Sequence, residues 1–220
     1  MRRQTRFTIY RQKKVVKPLY KLCIVLFLLV IAFLLVKPVC VSLAAFLSMP
    51  KSETHCDAIL VEGGSVFSEY IVEQALEAYY AGQAKAILFV MYSSELSSAI
   101  FGIHDYRALV LSAIDSLNIP AADYKLLMLD IQDPYTYNAA RVLADTLTDI
   151  QSLLILSDNF HIRRSFLTFN KVFKAKNIAV YPYTYDIYLT PTNWWRSANG
   201  WRRVLNEYIK LIFYWIKGYI

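Results

Sequence analysis

Residues 57–62 have the sequence Asp-Ala-Ile-Leu-Val-Glu and are followed by Gly63-Gly64. Four apolar residues between two carboxylates predict a short strand that is buried on both faces and ends at a tight turn. A helical pattern follows at about 69–81, and Gly82 is the predicted helix stop. A buried strand that leads through a Gly-rich turn into a helix is the unit from which parallel α/β sheets are built.

The rest of the domain repeats this alternation of strand and helix. It predicts an α/β fold, a three-layer Rossmann-like parallel sheet with helices on both faces. Residues 51–220 have the length of one domain, and no internal repeat or Gly/Ser linker divides them. The further predicted strands are 85–91, 124–130, 152–157 and 177–181, and the further predicted helices are 105–117, 136–148, 160–174 and 194–217.

The chain begins with a basic tail and a long apolar segment. Residues 1–21 hold eight Lys and Arg and no carboxylate, and residues 22–36 are apolar without interruption. With its apolar neighbours, to about 22–47, this segment is long enough for one transmembrane helix. The basic flank predicts a single-pass inner-membrane protein with a cytoplasmic N-terminus and an extracytoplasmic, periplasmic domain. A cleaved signal peptide is the alternative, because Ala44-Ala45 offers small residues.

The charge of the chain is concentrated in that tail. The net charge is +7, from 24 Lys and Arg against 17 Asp and Glu, and residues 1–21 contribute +8, so the remainder sums to −1. A nucleic-acid partner, which needs a basic face on the folded part, is therefore not predicted. The tail suits membrane lipids with anionic headgroups, at about 1 kcal/mol per Lys or Arg near the surface. The three cysteines, Cys23, Cys40 and Cys56, support neither a disulfide core nor a zinc site.

The fold class predicts where ligands bind. In open α/β sheets, ligands lie beyond the carboxyl ends of the strands, where loops and helix N-termini supply N–H groups. Three predicted turns fall at this edge, after the first, third and fourth strands. Their candidate residues are Glu62, Gly63, Gly64 and Ser65 in the first turn, Thr136 and Asn138 in the second, and Ser157, Asp158, His161 and Arg164 in the third.

Most of these candidates also have an ordinary structural explanation. The paired glycines could form a plain strand-to-helix turn, and the other small polar residues could cap the helices that follow. The carboxylates of Glu62, Asp133 and Asp158 could hold a divalent ion, but capping explains them equally well. The sequence therefore predicts no metal site and leaves the cofactor unknown.

His161 and Arg164 are the strongest functional candidates. Their i, i+3 spacing places both on one helix face beside a strand end. An imidazole next to a guanidinium suits an anionic small-molecule ligand such as a phosphate.

Several segments also share a pattern with a known group of proteins. They are Asp57-Ala-Ile-Leu-Val-Glu-Gly-Gly64, Ala78-Tyr-Tyr-Ala-Gly82, Thr136-Tyr-Asn-Ala-Ala140, Leu154-Ile-Leu-Ser-Asp-Asn-Phe-His-Ile-Arg-Arg-Ser165, and Trp194-Trp-Arg-Ser-Ala-Asn-Gly200 with Glu207. Over about 55–218 the chain resembles the SanA/YdcF/ElyC family, a bacterial envelope domain of unknown function. The resemblance implies a Rossmann-like fold, an N-terminal anchor, and a role in envelope integrity, peptidoglycan or lipid-carrier metabolism.

The chain departs from that family at several positions. Met91-Tyr-Ser-Ser94 stands where a second Gly-rich turn is common, Asn138 stands where a carboxylate is frequent, and 69–81 lacks a common Arg. Two hypotheses therefore stay open. One is an envelope-biogenesis or envelope-integrity protein with a cleft at the carboxyl ends of the strands. This cleft would bind a phosphorylated or lipid-linked molecule, or an envelope-assembly protein. The other is a hydrolase or transferase acting on a phosphorylated envelope precursor, with His161 as acid/base helped by Glu62.

The closing helix predicted at 194–217 carries more apolar residues than one narrow stripe can hold. We expect some of them to cover the sheet, with Trp215 and Tyr219 towards a membrane interface, where amphipathic rings are favoured. Complete burial against the domain is the alternative.

Overall fold

The computed structural model describes residues 18–62, 69–92, 108, 111–112, 114–115, 119–185 and 188–220. The chain divides into two compact units, Met1–Val39 and Cys40–Ile220. Gly63, Gly64 and Ser65 lie outside the described residues, as does much of the helix predicted at 105–117, whose described residues are helical.

Helix α1 runs from Pro18 to Leu47. Among the described residues, it is the one helix that is long and apolar enough to cross a membrane. It contains no carboxylate, and an 18-residue stretch within Tyr20–Leu47 has a mean hydropathy of 3.0. At about 1.5 Å per residue, roughly 20 residues cross a hydrocarbon core of about 30 Å, so the helix is longer than one span requires. Its last two turns, from Cys40 onward, belong to the second unit.

The second unit contains a five-stranded, all-parallel sheet. The three central strands are rich in Ile, Leu and Val and buried along most of their length, as expected for strands covered on both faces, whereas the two edge strands are only partly buried. The five strands are β1 (Cys56–Glu62), β2 (Ala84–Tyr92), β3 (Tyr124–Leu129), β4 (Ser152–Asp158) and β5 (Ala179–Tyr185).

The helices of this unit follow the strands in sequence. They are α2 (Glu69–Tyr80), α3 (Tyr135–Thr146), α4 (Ile162–Lys174), a 3-10 turn (Trp194–Arg196) and α5 (Ala198–Ile216). The strand predicted at 177–181 begins later, because Asn177 adopts φ 59° after the end of α4. The helix predicted at 194–217 is interrupted because Ser197 is extended and caps α5, its side chain accepting from Gly200 N–H.

The sheet is the middle layer of three. Leu60 and its same-face neighbours pack against α3 and α4, and Ile59 and Val61 pack against α2 on the opposite face. The predicted Rossmann-like arrangement with helices on both faces is therefore confirmed.

The strand order is β3-β2-β1-β4-β5. The chain moves outward from β1 in one direction through β2 and β3, then returns to place β4 on the other side of β1. Such a reversal opens a crevice between the carboxyl ends of the two central strands, where ligands of this fold class bind. Here that crevice lies beyond Glu62 and Asp158.

Helix α5 does not cover the sheet, so that part of the prediction for the closing helix is wrong. Its buried residues Val204 and Leu211 pack instead with Cys40, Ala44 and Trp194 in a separate cluster. The last turns of α1 and the 3-10 turn occupy the face of α5 that the sheet would otherwise have covered.

Candidate functional site

A cavity of about 650 Å³ lies at the carboxyl ends of the central strands. The end of β1, the first turns of α3 and α4, and the middle of α5 contribute its walls. The described residues that line it are Glu62, Tyr92, Asp133, Pro134, Tyr135, Thr136, His161, Arg164, Lys210, Phe213 and Tyr214.

Glu62 is the last residue of β1, and its side chain is only 7% exposed. Tyr92 Oη donates to Glu62 Oε1, and Ser165 Oγ donates to Oε2 over 3.1 Å. Burial raises the pKa of this carboxyl, but His161 and the Tyr92 hydroxyl outweigh burial and lower the pKa to about 2. Glu62 is therefore ionised at neutral pH and acts as an acceptor.

His161 stands immediately before α4, between two carboxylates. Its Nε2 is 3.6 Å from Glu62 Oε2, and its Nδ1 is 3.5 Å from Glu207 Oε2. Burial and the adjacent Arg164 guanidinium lower the pKa of the ring, but the two carboxylates outweigh them and raise it to about 9. The surroundings of the ring therefore favour its protonated form, imidazolium, at neutral pH.

The contact between His161 and Arg164 depends on the protonation state of the ring. Arg164 Nη2 lies 2.9 Å from His161 Nδ1. A guanidinium can only donate, so this contact is a hydrogen bond only when Nδ1 carries no proton. When Nδ1 is protonated, its N–H can only donate, and the acceptor next to it is Glu207 Oε2 at 3.5 Å.

Arg164 is a buried cation, 6% exposed, whose donors are already engaged. Its Nε donates to Glu207 Oε2 over 2.9 Å and its Nη2 to Glu207 Oε1 over 3.3 Å, which is a fork-like pair. Its Nη1 donates to Thr136 Oγ1 over 3.1 Å, and the guanidinium lies 4.9 Å from the centre of the Tyr214 ring. Glu207 neutralises this charge, so Arg164 holds the wall of the cavity in place.

Two helix N-termini face the cavity. Helix α3 begins after Pro134 and α4 after His161, and neither has a side-chain cap or an acidic residue in its first turn. Thr136 therefore does not cap α3, as one reading of the sequence expected, but accepts from Arg164 inside its first turn. The first turn of a helix presents N–H groups without intrahelical acceptors and the positive end of the helix dipole.

Charges of both signs surround these helix ends. When His161 is protonated, the positive charges of His161 and Arg164 equal in number the negative charges of Glu62 and Glu207 among the buried residues of the site. At the rim, Lys210 lies 3.3 Å from Glu207 Oε1 with its side chain 55% exposed, and Asp133 is exposed. Because the formal charges cancel, the helix N-termini and the exposed ammonium provide the attraction for an added anion.

The structure brings together four of the predicted residues, Glu62, Thr136, His161 and Arg164, and places three others away from the described lining. Asn138 Nδ2 donates to Gln132 O over 2.9 Å and so holds the loop before α3. Asp158 pairs with Arg203 over 2.7 Å and accepts from Phe160 N–H over 3.0 Å, and Ser157 is buried in β4.

Sequence reasoning did not choose several residues that belong to the site. Glu207 is the partner of both Arg164 and His161, and the lining also includes Tyr92 of β2 and Lys210, Phe213 and Tyr214 of α5. Glu207 could have been noticed in the sequence, because it is the only carboxylate in α5. The others come from β2 and α5, which sequence reasoning did not place at this edge.

Within the described ranges, no group of three or more His, Cys, Asp or Glu side chains is arranged to hold a metal ion. Asp158 pairs with Arg203, and Glu62 is engaged by Tyr92 and Ser165. Two of the three residues considered as a divalent-ion set, Glu62 and Asp158, are thus committed to other partners.

Comparison with known proteins adds no assignment, since no protein-family model and no curated protein matches the chain. The resemblance to the SanA/YdcF/ElyC family stays a prediction.

Proposed function

We propose that this protein is a single-pass membrane protein whose α/β unit binds an anionic small molecule, phosphorylated or lipid-linked, in the cavity beside His161. The observation that carries the proposal is the pair of helix N-termini, α3 and α4, without side-chain caps at one cavity. Helix N-termini bind phosphate and carboxylate groups through their N–H groups and dipoles. The crevice between β1 and β4 is also where this fold class binds its ligands.

The walls of the cavity suit a ligand with an apolar part as well as an anion. Tyr92 and Tyr135 stack with their ring centres 5.4 Å apart, and Phe213 and Tyr214 line the α5 side. Aromatic walls with a few convergent polar groups are typical of small-molecule sites. An anionic head at the helix ends and an apolar tail along the aromatic rings would use both features.

The proposed membrane topology of the protein rests on α1 and the basic tail. In this proposal α1 spans the inner membrane, residues 1–21 lie in the cytoplasm against anionic lipids, and the α/β unit is extracytoplasmic. The role is envelope biogenesis or integrity, as the family resemblance implies, and the cleft could serve envelope-assembly proteins as well as the ligand.

A second candidate function is catalysis on a phosphorylated envelope precursor. Its support is His161, whose pKa is raised to about 9 between Glu62 and Glu207. An imidazolium at a cleft can donate a proton to a leaving oxygen, and the ionised Glu62 would orient the ring. In this role Glu62 is the residue that positions His161, because its own low pKa leaves it no proton to give.

Ligand binding to the full chain in detergent micelles tests the proposal. Inorganic phosphate, pyrophosphate and an isoprenyl phosphate are titrated, with the rise in thermal unfolding temperature as readout. Lys210→Ala should weaken binding about tenfold or more, the scale of one charge-assisted hydrogen bond of about 1.5–3 kcal/mol. Lys217→Ala is the matched control, because Lys217 follows the same helix and lies outside the cavity lining.

The outcomes separate the two candidates. Stabilisation by none of the three probes, or equal loss in both lysine variants, would refute the binding site. Release of inorganic phosphate that His161→Gln abolishes, with the affinity retained, would establish catalysis.

A further inference from the structure

Helix α5 carries two different faces, and only one of them is used inside the unit. Val204, Glu207, Leu211 and Tyr214 are buried against the domain. The residues at i, i+4, i+7 and i+11 from Leu205 are apolar and form a second row along the helix. These residues, Leu205, Ile209, Ile212 and Ile216, are 51%, 65%, 55% and 69% exposed, and we call them the outer face of α5.

Further aromatic residues border the outer face. Trp201 is 41% and Trp215 72% exposed, one at each end of the helix. No described segment covers this surface. A continuous exposed apolar surface of this kind marks a contact with a protein or a membrane.

Basic residues occupy the side of α5 next to the outer face. Arg202, Lys210 and Lys217 are exposed there, and Glu207 is the single carboxylate of the helix and is buried. A helix with Trp, Leu and Ile on one face and Lys and Arg beside it has the composition of helices that lie in the plane of a membrane interface.

The end of α1 packs directly on α5. Tyr208 Oη donates to Leu43 O over 2.7 Å, and the Tyr208 ring stacks on Phe46 with ring centres 5.9 Å apart. Trp194 Nε1 donates to Cys40 O over 3.0 Å. Leu43 and Phe46 are themselves 38% and 50% exposed, so the apolar surface continues from α5 onto these last turns.

The residues of α1 that contact α5 come directly after the stretch that is proposed to cross the membrane. A span of about 20 residues that starts near Lys21 reaches the far interface at about residue 40. With such a span, residues 40–47 follow the far interface, and these are the residues of α1 that contact α5.

We propose that the outer face of α5 lies on the bilayer, its apolar residues among the acyl chains and its lysines and arginines at anionic headgroups. This inference rests on the proposed membrane span of α1. It deepens the proposed function, because Lys210 and Phe213 of the same helix line the cavity. The cavity then opens beside the lipid surface, where a lipid-linked anion can enter without leaving the membrane.

Fluorescent labels on single cysteines test the placement. The parent is the full chain with Cys23, Cys40 and Cys56 replaced by Ala, and labels are attached at Ile209→Cys or, as the matched control, at Asn206→Cys. Both positions are exposed on α5, but Asn206 lies outside the outer face. A third protein keeps only the native Cys23 and reports whether α1 itself is in the bilayer.

Each labelled protein is reconstituted in vesicles of phosphatidylethanolamine and phosphatidylglycerol, with and without bromine on the acyl chains. We expect brominated lipid to quench the label at position 209 several-fold more than the label at 206, and iodide in water to do the reverse. Circular dichroism and thermal unfolding against the unlabelled parent identify any variant that fails to fold, and Leu205→Cys and Ile212→Cys then replace position 209.

Three results would overturn the inference. The first is equal access of iodide to the labels at positions 209 and 206 while lipid quenches the label at Cys23. This result would support the membrane span of α1 but show that the outer face of α5 is in water. Protection of position 209 from iodide without quenching by lipid, together with 209–209 disulfides between copies, would assign the outer face to a second chain. Lack of lipid quenching at Cys23 would refute the membrane span on which the inference rests, independently of ligand binding.

Discussion

His161 Nε2 lies 3.6 Å from Glu62 Oε2, which joins the start of α4 to the end of β1. These residues are 99 positions apart in sequence. They meet because β4 returns to the side of β1 opposite β2, so that both central strands end at one crevice. The contact places an ionised carboxylate against an imidazole at the position where this fold class binds ligands.

Removal of the Glu62 charge should lower the pKa of His161. In Glu62→Gln the amide oxygen can still accept from Tyr92, but one of the two carboxylates that stabilise imidazolium is lost. We expect the His161 titration, followed by NMR, to move from about 9 towards its ordinary value of 6.5. Asp133→Asn, at the cavity rim, is the control and should leave the titration in place. An unchanged titration in Glu62→Gln would show that Glu62 does not govern the ring.

The stability of the protein should be greatest between about pH 4.5 and pH 6.5. The pKa of His161 is raised from 6.5 to about 9, so its contribution is complete below pH 6.5 and is lost as pH rises to 9. The pKa of Glu62 is lowered from 4.5 to about 2, so its contribution is complete above pH 4.5 and is lost as pH falls. Each group changes the free energy of unfolding by about 1.4 kcal/mol per pH unit in its window. Denaturant unfolding across pH measures this, and His161→Gln should flatten the alkaline limb.

Glu207→Gln should destabilise the protein strongly. The substitution leaves the Arg164 guanidinium, 6% exposed, without its counter-charge. Breaking one partner of a buried ion pair costs about 3–5 kcal/mol. The control is Asp145→Asn, which removes a pair with Lys176 of nearly the same length, 2.8 Å, on the surface, where pairs contribute little. Equal effects in the two variants, measured by denaturant unfolding, would contradict a structural role of the Arg164–Glu207 pair.

Gly200→Ala should prevent the close approach of α5 to the 3-10 turn. A Cβ atom there would lie 1.9 Å from the backbone oxygen of Trp194. We expect a loss above the usual overpacking cost of about 1–3 kcal/mol, because a backbone atom cannot move aside as a side chain can. Gly218→Ala is the comparison, since its positive φ is strained but the space around it is open. A smaller loss in Gly200→Ala than in Gly218→Ala would show that the contact is dispensable.

The proposed membrane topology of α1 has a direct readout. Residues 1–21 carry eight positive charges and should stay in the cytoplasm. A reporter active only outside the cytoplasm should therefore work when fused after Ile220. The matched fusion of a reporter active only in the cytoplasm should be silent, and the reverse pattern would invert the topology.

The sequence alone predicted the layers of the fold and the edge at which the site lies. Runs such as Ile59-Leu60-Val61 are short and apolar at every position, as expected for a strand covered on both faces, and helical patterns follow them at regular spacing. His161 and Arg164 could be selected because their i, i+3 spacing on a helix is local. The long apolar helix α1 was equally predictable, because length and hydropathy are properties of a continuous segment.

The tertiary structure decided which of these residues act together. Glu207 reaches Arg164 and His161 from α5, and its sequence position carries no information about that distance. Helix α5 was expected on the sheet. Its buried residues instead pack with Trp194 and with residues 40–47 at the end of α1. Local patterns depend on the period of one element, whereas partners from different elements depend on strand order and helix docking, which the chain settles only when it folds.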